Sequence, residues 1–201
     1  MKTLRRNRPP RYTAADWAAW NQARALEELG ELTAAWLEGA MPYQPTYGGG
    51  PAPETRPLIS HLAAYNRAGF LTNNSQPGTP LNNGWGQRAW VHGFCTAETA
   101  DAIESAVLDT ELIVGSTAPG GDNHTRICVT MSGRQPYTIA GAMDTSYLIE
   151  QYRRDIPGAL PTLTAAWQIE VIDPQWGRNS LLWERVARAL NVPFELKEFT
   201  A

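Results

Sequence analysis

Two polar clusters flank one apolar stretch in this chain: Glu54-Thr55 before it, and Thr72-Asn73-Asn74-Ser75-Gln76 after it. Between them Leu58, Ile59, Leu62, Ala63 and Tyr65 fall at spacings that suit the buried face of a helix. Hydroxyls, amides and one carboxylate gathered about a single helix can hold a small polar ligand, since hydroxyls both donate and accept and a carboxylate accepts from hydroxyl or ammonium groups. A molecule with ribose hydroxyls, an ammonium group and a heterocycle would match such a lining. Each residue also has an ordinary structural use. Thr55 can cap the helix, Glu54 can complement its dipole, and Thr72 to Gln76 can form a turn.

Other chemistry has little support. The chain contains no P-loop, GxGxxG, HExxH, CxxC pair or GxSxG, so nucleoside triphosphate, zinc-protease and serine-hydrolase readings lack their motifs. His61, His92 and His124 are scattered, and none has a nucleophile partner visible in the sequence. Cys95 and Cys128 lack metal-ligand spacing, lie in apolar runs and read as small buried hydrophobes. No metal site is expected.

The elements that must position the clusters can be read from periodicity. Residues 13–38 predict helix, capped by Thr13, with Gly30 as the point where it would divide in two. A loop dense in Pro, Gly and Tyr follows over 39–53. A helix over 56–67 ends at Ala68-Gly69. Phe70-Leu71-Thr72 starts a short strand that the polar run to Gly78 breaks. A strand over 88–95, a helix over 98–108 capped by Thr96, strands over 111–116, 126–131 and 137–140, and a helix over 144–154 come next. The apolar run 163–172 predicts a strand, and 180–190 a final helix. Interleaved helices and strands without repeats predict one α/β or α+β domain with a mixed sheet and flanking helices. That domain would span 13–201, after a basic arm over 1–12.

With 201 residues, 43% hydrophobic and 18% charged, the composition is that of a globular protein with one core. A net charge of -3 gives no general attraction to nucleic acid or to an anionic membrane, although Lys2, Arg5, Arg6, Arg8 and Arg11 make the arm basic. No apolar run has the length of a membrane span, so a cytoplasmic location is expected. The eight tryptophans are expected in the core or on helix faces.

Read together, Pro53-Glu54-Thr55 with Leu58, Asn66-Arg67 with Gly69, Leu71-Thr72, Asn74-Ser75-Gln76-Pro77 and Gly84-Trp85-Gly86 resemble the C-terminal regulatory domain of eukaryotic methylenetetrahydrofolate reductase. The likeness is strongest over 51–102 and continues more weakly to Val171-Ile172-Asp173 and Leu182-Trp183. It implies that domain's fold and its ligand, S-adenosylmethionine, with S-adenosylhomocysteine competing. Carried over by motif, the implied contacts are Ala52, Glu54, Thr55, Thr72 and Ser75. A further threonine on a later strand has two candidates, Thr125 and Thr130. The family's linker, which supplies Pro and Trp contacts, has no clear counterpart, and Trp36, Tyr43 or Tyr47 are the substitutes. Its catalytic barrel, with flavin and folate sites, has no counterpart in these residues.

The resemblance therefore implies a stand-alone sensor or regulatory module acting on a protein partner. The alternative is an enzyme that consumes the ligand, most simply a small-molecule methyltransferase, with the 39–53 loop in the acceptor pocket and His92 or His124 as base. A third reading is a scaffold that has lost the ligand.

Overall fold

The computed structural model describes residues 13–122 and 125–195. The basic arm and His124 lie outside them. Helix α1 (Ala14–Gln22) starts on a capping box, in which Thr13 Oγ1 accepts from the Asp16 amide at 3.1 Å and Asp16 accepts from the Thr13 amide at 2.8 Å. The chain then breaks at Ala23–Ala25 and resumes as α2 (Leu26–Leu37). The break is set by Glu28, whose carboxylate reaches back to the Arg24 and Ala25 amides. It does not fall at Gly30, which lies inside α2 because a Cβ there would sit 2.3 Å from the carbonyl oxygen of Asn66. Glycine at that point lets two helices approach.

The second of those helices is entered through a 3-10 turn, Pro53–Leu58, and is α3 (Ile59–Arg67). Gly69, at φ +90°, closes it: the Gly69 amide donates to Asn66 O and the Phe70 amide to Tyr65 O, a Schellman ending. Strand β1 (Leu71–Gln76) follows at once and runs through the polar residues expected to be a turn. Strands β2 (Thr79–Asn82) and β3 (Trp85–Cys95) form a hairpin closed by Asn83-Gly84, both at positive φ. Then come α4 (Ala97–Val107), β4 (Ile113–Thr117), β5 (Ile127–Ser132), β6 (Gln135–Ala140), α5 (Thr145–Asp155), a short α6 (Leu160–Thr164), β7 (Trp167–Trp176) and α7 (Leu181–Ala189). The apolar run expected as one strand is divided, its first residues closing α6 and the rest opening β7.

The fold is α+β. Among the described residues every strand pairing is antiparallel, so the mixture of directions expected in the sheet is absent. Hairpin joins explain much of this, since a parallel pair needs a long crossover. Strand β3 is the shared element. Its later residues pair with β1 and β7, and its first residues with β2 and β5. Val91, Ile169 and Val171 pack with Ile103, Val107, Leu182, Trp183 and Val186 of α4 and α7 in the main core. Cross-strand neighbours Trp90 and Ile172 join Val129 and Ala140 in a smaller cluster. Asp173, fully buried, is held by Arg178 through two hydrogen bonds of 2.6 and 2.8 Å.

Candidate functional site

Thr72, Asn73, Asn74 and Ser75 are consecutive in β1, and a regular strand would send them alternately to opposite faces. All four nevertheless line one cleft, with Thr33, Trp36, Leu37, Gln44, Tyr47, Pro51, Thr55 and Leu62. The cause is a bulge: Thr72 pairs with Gly93 and Asn74 with His92, leaving Asn73 as the extra residue. Gly93 permits the approach, because a Cβ there would lie 2.4 Å from the Leu71 carbonyl oxygen. The opposite wall comes from α2 and the 3-10 turn, and the roof from the 39–52 loop.

Asn66 fixes the inner edge. Fully buried, it donates to Thr72 Oγ1 at 2.7 Å and to Leu62 O at 2.7 Å, and accepts from the Thr72 amide at 3.0 Å. The Thr72 hydroxyl is thus an acceptor within the fold and keeps its proton for another partner. Neither the Thr55 nor the Ser75 hydroxyl has a hydrogen-bond partner among the described residues. The 3-10 turn has no side-chain cap, its N-cap being Ala52, and α3 has none either, so the capping alternative for Thr55 is not used. Trp36 is buried and its indole N–H has no acceptor among the described residues. A buried donor left unpaired in this way is costly unless something else accepts from it.

The cleft lining carries no carboxylate, histidine, lysine or arginine. Glu54 is exposed in the first turn of the 3-10 segment, outside the lining, and close enough to Tyr47 that its charge adds to burial in pushing the Tyr47 phenol above its ordinary range. Ala52 is half-buried beside it. Thr55, Thr72 and Ser75 are therefore brought together, Ala52 and Glu54 lie on the adjoining segment, and the two later threonines lie elsewhere. Thr125 Oγ1 stands near the Glu170 carboxyl, both within 3.1 Å of where a Gly115 Cβ would be. Thr130 donates to Gln76 Oε1 at 2.8 Å, joining β5 to β1, and lines a separate surface cleft with Trp85, Gln87 and Tyr137.

The histidines are structural where they are described. His92 accepts burial as a neutral ring, its pKa pushed down to about 4, and meets Gln168 Oε1 at 3.2 Å. His61 packs on Phe194 and contacts the Glu195 carbonyl. Neither lines the cleft. No group of three or more His, Cys, Asp or Glu among the described residues could hold a metal ion. Sequence reading missed Thr33 and Gln44 as lining residues, and it held Asn73 and Asn74 only as members of the polar run.

The chain belongs to the family described as Domain of unknown function (DUF6919), whose model matches residues 15–192. No curated protein matches it.

Proposed function

We propose that this protein binds S-adenosylmethionine and S-adenosylhomocysteine in the cleft between α2, the Pro53–Leu58 turn and β1, as a stand-alone sensor or regulatory module. The observation that carries the reading is a set of polar groups on one cleft without partners among the described residues: the hydroxyls of Thr55 and Ser75 and the Thr72 proton, together with the unpaired indole N–H of the lining residue Trp36. A pure scaffold makes no demand for four such groups in one place. Three of the four positions are ones where the resemblance to the reductase regulatory domain puts ligand contacts, apart from Trp36, which substitutes for a linker contact.

The chemistry fits the ligand class. Hydroxyls that donate and accept suit ribose and carboxylate edges. Glu54, next to Thr55 in sequence and near enough to Tyr47 to act on its phenol, would supply the negative charge that favours a sulfonium over the neutral thioether and accept from the ammonium group. Because the lining holds no histidine or carboxylate, the cleft offers binding groups and no general base from the described chain. Sensing in turn requires a protein partner whose contacts differ between the free and bound states. A cytoplasmic setting agrees with the ligand. No helix among the described residues is long and apolar enough to cross a membrane.

Calorimetric titration with S-adenosylmethionine, S-adenosylhomocysteine and adenosine tests the reading, with mass spectrometry of the recovered ligand. Binding of both sulfur ligands with S-adenosylmethionine recovered intact is the expected result. Absence of heat with either would overturn it. Conversion to S-adenosylhomocysteine or methylthioadenosine would make the protein an enzyme that consumes the ligand.

A further inference from the structure

The cleft as it stands encloses about 50 Å³, whereas a ligand of this size needs a pocket of roughly 300 Å³ or more. Something must move. The β1 wall is paired to β3, α2 and α3 meet closely at Gly30, and Asn66 ties α3 to β1 at Thr72. The remaining wall is the 39–52 loop. Its centre is closed on itself: the Gln44 and Gly48 amides exchange bonds with each other's carbonyls at 2.9 and 2.7 Å, and the Gln44 side chain accepts from Thr46 and from the Tyr47 amide.

Its ends are glycines. Gly39 and Gly48 sit at φ +82° and +102°, and a Cβ at Gly39, Gly48, Gly49 or Gly50 would meet nothing within 4 Å. Past the Ala40 and Met41 amides, which donate to Ala35 O, it meets the body where Trp20 Nε1 donates to Tyr43 O at 3.1 Å and where Tyr47 lies edge-on to Trp36 at 5.3 Å.

Behind Gln44 lies a second chamber of about 20 Å³, lined by Trp20, Leu29, Phe94, Tyr152, Ile156 and Leu163. It shares Thr33, Gln44, Thr72 and Asn73 with the first. We propose that residues 39–50 are a flap hinged at Gly39 and Gly49–Gly50, and that its opening joins the polar and apolar chambers into one site whose inner half takes a planar heterocycle. This rests on the S-adenosylmethionine reading for the identity of that ring, adenine. The inner chamber suits it: indole, phenyl and phenol rings give apolar contact area, and Asn73, already accepting from Tyr152 Oη at 2.8 Å, offers an amide to a ring edge.

Hydrogen exchange on the full chain, read with adenosine calorimetry, tests the proposal. The Trp20 indole N–H, freed whenever Tyr43 swings away with the flap, should exchange about 100-fold faster than the amides of Leu62 to Tyr65, and slow on addition of adenosine. Protection equal to α3 would overturn the flap. Leu163→Phe, which fills the inner chamber, should weaken adenosine binding about tenfold without slowing flap exchange. If that variant does not fold, Ile156→Met, similar in volume but longer, should weaken binding in the same sense. Unchanged adenosine affinity in the folded variant would overturn occupation of the inner half. Should the wild-type protein take up neither adenosine nor S-adenosylmethionine, the ligand reading and the inner-half assignment both fail, and the flap is decided by its exchange rates alone.

Discussion

Single side chains in this cleft divide into those that build it and those that face it, and substitutions should separate the two. Asn66 builds: it is buried with three hydrogen bonds, so Asn66→Ala should cost about 3 kcal/mol of stability, read by urea denaturation, and lower ligand affinity as Thr72 loosens. Thr55 faces: its hydroxyl bonds to nothing among the described residues, so Thr55→Val should leave the unfolding free energy within about 0.5 kcal/mol of wild type while weakening S-adenosylmethionine about tenfold. Glu54→Gln should narrow the preference for S-adenosylmethionine over S-adenosylhomocysteine, because only the sulfonium carries the charge that Glu54 favours. At this scale the sequence was informative about residue types and less so about location. Thr55, Thr72 and Ser75 do share a cleft, whereas Thr130 is held by its bond to Gln76 and Thr125 stands beside Gly115, places that only the folded sheet creates.

Elements were legible where one local rule governed them. The Thr13 and Thr96 caps and the ending of α3 at Gly69 follow from short-range chemistry and stand where spacing puts them. Failures came where distant contacts decided. Gly30 reads as a breaker along the chain but serves a helix crossing, and the Thr72–Gln76 run reads as a turn but is a bulged strand paired to β3. Gly30→Ala should therefore destabilise by about 2 kcal/mol despite the better helix propensity of alanine, measured by thermal or urea unfolding.

The centre of the sheet adds a pH signature. His92 and Glu170 are cross-strand partners, both buried, with their pKa values pushed mainly by desolvation to about 4 and about 7. The His92 shift is downward, so its contribution to stability is present above about pH 6.5 and is lost as pH falls toward 4. The Glu170 shift is upward, so its contribution is present below about pH 4.5 and is lost as pH rises through 7. In wild type the two slopes offset one another between about pH 4.5 and 6.5. Glu170→Gln should unmask stability that climbs with pH over that window, and His92→Gln stability that declines; parallel profiles in the two variants would show the assignment to be wrong.

For the molecule as a whole, the architecture explains why a bulged strand, a 3-10 turn and a glycine-rich loop converge. β1 is anchored to the central strand, α2 and α3 are locked at a glycine contact, and the loop between them spans the gap they leave. Fold class and the flanking helices were readable from interleaved periodicities, but strand direction and the two-fold use of β3 were not, because pairing partners lie far apart in sequence. The central claim is that one cleft, and not the Thr125 or Thr130 neighbourhoods, receives an adenosyl ligand. Threonine-methyl NMR of the full chain during titration with S-adenosylmethionine tests it most directly. The Thr33, Thr55 and Thr72 methyl signals should shift together and saturate at one concentration while Thr125 and Thr130 stay in place; movement confined to Thr125 or Thr130, or no movement at all, would rule the shared cleft out.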